Sequence, residues 1–406
     1  MTLHSTTRQS LSGQSPSGQR MSGQRLSRRS FLATSAAGAA VVGAPLLSGC
    51  GSSEPAEPVQ DQSAADNSLT VSNWALYIDT ARNGPDQYPS VAAFEAESGI
   101  DVTYREDITA NDEFFAKIRP QLVKGEGVDR DIIVMTDWMA ARLIRLGYVN
   151  ELNTEAIPNA KNLLPSLKSP SFDPERQYSM PWQSGFTSIA YNSGAVDAPV
   201  TSMTEMLTRP DLAGKVAVFT EMRDTVGLIM LDQGADPSNF TDEQFDAAIA
   251  LLQESVDSGH VRQFADANYG QSLSKGNFAA SMTYSGDINQ LRLDNPDLEL
   301  VIPDAGFILW SDNLLVPVGA LHQANAEKWI NFFYRPDIAA QVAAWVNFIT
   351  PVVGAKEELK KVDPELASNE LIFPSEEFLA QGQIFKALDA DEEARYQAAF
   401  NAVRGL

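Results

Sequence analysis

From Leu69 onward the chain alternates short apolar, β-branched runs with stretches whose apolar residues recur every three or four positions. Strand-like runs are LTV (Leu69–Val71), IDVTY (Ile100–Tyr104), DIIVM (Asp131–Met135) and TSIAYN (Thr187–Asn192). KVAVF (Lys215–Phe219), LELVIP (Leu298–Pro303) and NLLVPVG (Asn313–Gly319) continue the series. Between them, Asn111–Gly125 sets Phe114, Phe115, Ile118 and Leu122 near helical spacing despite Pro120. Thr241–Gly259 opens on an N-cap residue and closes on a glycine, a well-marked helix start and stop. The C-terminal third is mostly helical: Asn325–Phe348 reads as two helices broken at Arg335–Pro336, and Asp391–Gly405 as the last helix. The alternation predicts an α/β architecture, and no internal repeat is visible.

Before Leu69 the pattern stops. The first 49 residues carry five arginines and no acidic residue. The segment Ser27–Cys50 begins with paired arginines, runs through small apolar residues and ends at the only cysteine. It barely approaches the ~20 residues of a membrane span. S-R-R-S-F-L resembles a twin-arginine export signal, and L-S-G-C (Leu47–Cys50) resembles a lipoprotein box, in which the cysteine is lipid-modified and becomes the new N-terminus. A single cysteine excludes an internal disulfide. The Ser-, Pro- and acid-rich stretch 51–68 reads as a disordered tether. The expected layout is a signal over 1–49, a tether over 50–68, then the folded part, held by Cys50 on the outer face of a membrane.

Charge narrows the partners. The whole chain carries 30 basic and 53 acidic residues, so the part after residue 49 holds 30 − 5 = 25 basic residues and a net charge of 25 − 53 = −28. Such a field repels nucleic acid and anionic headgroups and attracts cations, although solubility alone also explains it. Catalytic constellations are missing: there is no G-x-S-x-G elbow, no Gly-rich phosphate loop after a strand and no HExxH. Besides His4, only His260 and His322 occur, far apart, and no Cys or His cluster has metal-ligand spacing. No metal or cofactor is expected, and carboxylate-pair hydrolysis is the one enzymatic option left open.

What recurs instead is aromatics and acids beside predicted strands. Trp74 and Tyr77 follow the first strand, Asp137 and Trp138 follow DIIVMT, and T-E-M-R-D (Thr220–Asp224) follows KVAVF. M-T-Y-S-G-D (Met282–Asp287) follows FAAS, and I-L-W-S-D (Ile308–Asp312) precedes NLLVPVG. In open α/β sheets, ligands bind beyond the carboxyl ends of strands, where such loops converge. Aromatic faces attract a cation and carboxylates neutralise it, which suits an elongated polyamine with methylenes between rings. Taken singly, each residue has a plainer role. Trp74 and Tyr77 suit packing, Glu221 and Asp224 suit a helix N-terminus, as does Asp137, and Asp312 suits a turn.

With these residues in hand, the chain resembles bacterial spermidine/putrescine-binding proteins, the solute-binding subunits of polyamine ABC importers. The resemblance runs from about Leu69 to the C-terminus and is carried by SNWALYI, TEMRD and ILWSDNLLVP, with support from Tyr178–Asn192 and Ile330–Pro351. It implies a two-lobe periplasmic-binding-protein fold of type II, with the ligand trapped between lobes. Lobe 1 would hold 69–184 and 311–355, and lobe 2 would hold 185–310 and 356–406. The chain would cross near Gln183–Gly185, near Trp310 and near Pro351–Lys356.

The resemblance assigns ligand contacts to Trp74, Tyr77, Thr136, Asp137, Trp138, Glu221, Asp224, Trp310 and Asp312. Tyr284 stands where the family has a tryptophan, and Phe348 where it has a tyrosine. A glutamine near the C-terminus falls on Gln381 or Gln383. Expected partners are a polyamine and an ABC permease, with the receptor a monomer. A receptor for another organic cation, or an enzyme or sensor on the same fold, are the other readings.

Overall fold

The computed structural model describes residues 59–81, 87–266 and 269–406. Cys50, the export segment and the tether as far as residue 58 lie outside the described residues. The stretch 59–68, expected to continue as a disordered tether, is instead partly fastened to the fold, with Gln62 N–H donating to Leu321 O at 2.7 Å and Ser63 Oγ accepting from Asn325 N–H at 3.2 Å. Among the described residues, ten strands form one curled sheet. They are β1 (Ser68–Trp74), β2 (Asp101–Ile108), β3 (Ile132–Thr136), β4 (Ser179–Asn192), β5 (Val216–Phe219), β6 (Val261–Ala265), β7 (Ala280–Tyr284), β8 (Leu298–Val301), β9 (Phe307–Leu315) and β10 (Gly382–Ile384). Their order is β2-β1-β3-β9-β4-β7-β5-β6, with β10 on β9 and β8 on β4. β1 runs parallel to β2 and β3, and β5 parallel to β6 and β7.

The two long strands β4 and β9 pair antiparallel from Ser179↔Leu315 to Thr187↔Ile308 and belong to both halves of the molecule. At one end β3 adds to β9 over Asp312–Leu315. At the other, β7 and β8 add to β4 over Thr187–Asn192. The sheet is thereby divided into two lobes that share the strip around Gly185 and Trp310, and the site must lie beside that strip.

Sequence patterning locates the second half of β4 but not the first, since Pro181 and Gly185 interrupt the run. It also places Trp310 and Asp312 ahead of a strand beginning at Asn313. They lie inside β9, because pairing with β4 on one side extends the strand back to Phe307.

Apolar burial follows the two lobes. Leu69, Val71, Ile132, Val134, Leu314, Trp329 and Ile330 share one core, and a neighbouring cluster holds Phe114, Ile118, Met139 and Leu143. Ile189, Val216, Val218, Met282, Phe245, Tyr396 and Phe400 share the core of the other lobe. Ala355, Leu359 and Ala367 are buried in the first core, whereas Phe385 and Leu388 belong to the second. The chain after 355 therefore stays with the first lobe at least to Ala367, and crosses later than Pro351–Lys356.

The helices form where capping and breaking residues direct. Helix Asp242–Asp257 starts from a capping box between Thr241 and Gln244. Pro336 occupies the first turn of helix Pro336–Val346, which separates it from Gln323–Phe333. Pro120 is accommodated in the last turn of Asn111–Leu122. Among the described residues no helix is long and apolar enough to cross a membrane.

Candidate functional site

A cavity of about 1100 Å³ opens beside the shared strip, and all eleven residues singled out from sequence line it. Most reach it from the end of a strand or the start of the following helix, whereas Trp310 and Asp312 project from within β9 and Phe348 from just after helix Pro336–Val346. β1 ends at Trp74, and the chain turns through Leu76, whose φ of 59° is a left-handed conformation that costs a leucine of order 1 kcal/mol. That turn leads from half-buried Trp74 to buried Tyr77. β3 ends at Thr136, and helix Asp137–Arg145 begins at once. β5 ends at Phe219 and is followed by helix Met222–Asp232.

The rings form a continuous arc across both lobes. Tyr77 meets Phe348 edge-on at 5.2 Å, Phe348 lies 5.5 Å from Trp310, and Trp310 meets Tyr284 edge-on at 5.6 Å. Beyond Tyr284 come Phe219 at 4.6 Å and Tyr269 at 6.0 Å. Two glycines make the approach possible. A Cβ on Gly185 would stand 2.6 Å from Trp310, and one on Gly286 would stand 2.6 Å from Phe348.

Carboxylates are set along this arc, each held by neutral donors. Asp312 accepts from the Tyr77 hydroxyl at 2.9 Å and from Thr136 Oγ1 at 2.7 Å. Asp224 accepts from Thr187 Oγ1 at 2.9 Å, and that oxygen accepts from the Trp310 indole at 3.1 Å. Glu221 is 3.4 Å from the Asn111 amide. Asp137 accepts from Asn313 Nδ2 at 2.7 Å, and Asn313 in turn accepts from buried Arg176 at 2.9 Å.

These positions separate the plainer roles from the chemical ones. Glu221 occupies the N-cap of its helix, yet its side chain makes no capping hydrogen bond. Asp224 stands in the first turn and is bound to Thr187. Asp312 is a strand residue, not a turn residue.

Burial without a full counter-charge makes these acids hard to ionise. Burial pushes Glu221 and Asp312 up to about 7 and Asp137 to about 6, and drives Asp224 upward as well. In such a setting a cation that enters the cavity replaces protons and gains attraction that bulk water would screen.

Trp138 differs from the other aromatics. The Arg223 guanidinium lies 3.9 Å from its ring centroid and that of Arg142 5.0 Å, so the protein's own cations already stack on it. Sequence reasoning leaves out Asp287, which the structure adds to the cavity wall. It accepts from the Tyr269 hydroxyl at 2.9 Å, and burial pushes it up to about 6. Its place at the end of M-T-Y-S-G-D is the available signal; Tyr269, at the start of a six-residue helix, carries none. Gln381 and Gln383 do not line the cavity, and the C-terminal segment contributes Ile384–Ala387 instead.

The comparisons with known proteins agree with this architecture. The family model described as bacterial extracellular solute-binding protein matches residues 90–374. The spermidine/putrescine-binding periplasmic protein of Escherichia coli is 26% identical over 317 residues, covering 78% of this chain and 86% of that protein. The putrescine-binding periplasmic protein PotF of Escherichia coli is 25% identical over 346 residues, covering 80% and 88%. The fold is shared with the crystal structure of the spermidine/putrescine substrate-binding protein PotD of Streptococcus pneumoniae. There the TM-score is 0.67 and the identity 24%, over 83% of this chain and 98% of that one. With the matched residues spanning more than half its length, the chain belongs to the bacterial extracellular solute-binding protein family.

Proposed function

We propose that this receptor captures an extended polyamine of the putrescine or spermidine class and delivers it to an ABC permease, with no covalent chemistry. The observation that carries the reading is the pairing of an aromatic arc with Asp312, Asp224 and Asp287. Each of these carboxylates is bound by hydroxyl groups and, among the described residues, by no Lys or Arg ion pair. Methylene segments pack on the rings of Tyr77, Trp310, Tyr284 and Phe348, and ammonium groups take the carboxylates. One desolvated cation–π contact is worth about 2 kcal/mol, so several, with ion pairs, reach micromolar affinity. Oxygen acceptors favour primary and secondary ammonium groups, which donate hydrogen bonds, over quaternary ones. The names of the Escherichia coli relatives support the same class.

In this reading Trp74, Thr136, Asp137 and Glu221 complete the wall, and Trp138 supports it from behind its stacked arginines. Lobe 1 comprises 69–184 with 311 to about Ala367, and lobe 2 comprises 185–310 with the C-terminal tail. Closure is a hinge motion about the shared strip. The exported monomer is held on the outer face of the cytoplasmic membrane by lipid on Cys50, with the tether as spacer.

Calorimetric titration of residues 51–406 with putrescine, spermidine and a neutral sugar tests the proposal. Saturable heat with the amines and none with the sugar is expected, with loss of the signal in Trp310→Ala. A folded, ligand-free sample that gives no heat with any polyamine overturns it.

A further inference from the structure

The first-lobe end of the cleft is backed by a buried arginine whose hydrogen bonds go to neutral oxygens. Arg176 lies in the loop leading into β4, is 5% exposed, and holds a left-handed φ of 51°, a strained conformation for a residue with a Cβ. Its Nε and Nη2 donate to the Leu167 carbonyl at 2.9 and 2.6 Å. Its Nη1 donates to Ser179 Oγ and to Asn313 Oδ1, each at 2.9 Å. Neutral acceptors are an incomplete match for a charge removed from water. The compensating anions stand one side chain further on. Ser179 Oγ donates to Asp173 at 2.8 Å, and Asn313 Nδ2 donates to Asp137 Oδ1 at 2.7 Å. Asp173 also accepts from the backbone N–H groups of Gln177, Tyr178 and Ser179, and so closes the loop. Asp137 lines the cleft.

We infer that Arg176 is a positioning residue for ligand capture: acting through Asn313, it fixes Asp137 as a second anionic acceptor, beside Asp312, for an ammonium group at the first-lobe end of the cleft. The fully buried Asn313 amide turns its oxygen to the guanidinium and its nitrogen to the carboxylate. The positive charge is thus passed to Asp137 along one polarised side chain. Thr136 and Asp312 are register partners of β3 and β9, and Asp137 and Asn313 are their chain neighbours, so both acids stand at the same end of the cleft. Burial raises Asp137, while the Asn313 hydrogen bond and the Arg176 charge limit the rise to about 6. The other charged and titratable groups facing the relay are Asp312 on β9, Asp173 in the loop, and Tyr334 after helix Gln323–Phe333. Fastening the loop does not require the bond to Asn313, since Leu167 and Ser179 already hold the guanidinium there. The ligand arm of the test rests on the polyamine reading; the ligand-free arm does not.

The test is spermidine calorimetry at about pH 6 and about pH 8 on wild type, Asp137→Asn, Asn313→Leu and the double variant. Alongside it, carbon-13 NMR follows the titration of Asp137 in the ligand-free receptor, with Asp137→Asn assigning the signal. Asp137→Asn should weaken spermidine about tenfold at the higher pH, as for loss of one charge-assisted hydrogen bond. Asn313→Leu should cost less than that at the higher pH and relatively more at the lower one, because without the relay Asp137 is harder to ionise. The double variant should bind no more weakly than Asp137→Asn alone. NMR should show Asp137 titrating at higher pH in Asn313→Leu than in wild type. Additive losses, a loss in Asn313→Leu equal at both pH values, or an Asp137 titration that does not move overturn the inference. If Asn313→Leu shows no cooperative melt, Arg176→Gln takes its place and is read by the same titration and the same cycle. If wild type binds no polyamine, the polyamine reading fails while the Asp137 titration still tests the relay.

Discussion

The hydroxyl of Tyr77 donates a 2.9 Å hydrogen bond to Asp312, a residue 235 positions later in the chain. Both side chains are buried, and the second carboxylate oxygen is taken by Thr136 at 2.7 Å. The turn after the first strand, the end of the third and the strand shared by both lobes are thus fastened at one acid. Aromatic wall and carboxylate form a single unit held by the protein's own hydrogen bonds, which reduces the ordering cost of binding.

Tyr77→Phe keeps the ring and removes one donor from Asp312. A buried acceptor stripped of a partner costs about 1–3 kcal/mol, so spermidine affinity should fall about tenfold or somewhat more. Asp312→Ala should abolish saturable heat altogether. Calorimetry on the two variants checks this, and a Tyr77→Phe protein with wild-type affinity would show that the hydroxyl has no part in binding.

The raised carboxyls give the receptor opposite pH dependences empty and loaded. Carboxyls of an unfolded chain titrate near 4, whereas Glu221 and Asp312 are pushed to about 7 and Asp137 and Asp287 to about 6. Between those limits the empty folded protein holds more protons than the unfolded chain. The stability these groups provide is therefore full below about 4 and is lost as pH rises through about 7. An ammonium ligand selects the ionised acids, so its affinity should weaken as pH falls from 7.5 to 5.5. Melting temperatures with and without spermidine across that range should show a ligand-induced gain that shrinks toward acid pH; a gain that grows would contradict the carboxylate role.

Gly286→Ala should weaken binding by displacing Phe348, because the added methyl would stand 2.6 Å from that ring. Overpacking of this kind typically costs about 1–3 kcal/mol. The expected signature is a lower melting temperature together with a lower spermidine affinity. Gly276→Ala, with open space around its Cβ but a φ of 73°, serves as the comparison. It should lower the melting temperature through backbone strain and leave affinity unchanged.

Much of this is legible in the sequence, for local reasons. Thr241 with Gln244 and Pro336 at a helix start announce their helices within a few residues. Aromatics and acids at strand ends are visible because strand ends are. What escapes depends on pairing at a distance. β4 crosses Pro181 and Gly185 because β9 supplies partners on its flank, and β9 begins six residues before its apolar run for the same reason. The late crossing of the chain follows from Leu359 and Ala367 burying in the first core, which no local pattern encodes. The meeting of Arg142 with Glu393 joins residues 251 positions apart, each an ordinary member of a polar helix face when read alone. Asp287 is an intermediate case, lying within a suggestive segment yet given its place only by Tyr269.

A crystal structure of the receptor grown with spermidine would be the most direct test. The ligand should lie extended along the arc of Tyr77, Phe348, Trp310 and Tyr284, with an ammonium nitrogen about 2.7–2.9 Å from an Asp312 oxygen. Spermidine bound elsewhere, or a cleft empty at saturating spermidine, would contradict polyamine capture at this site.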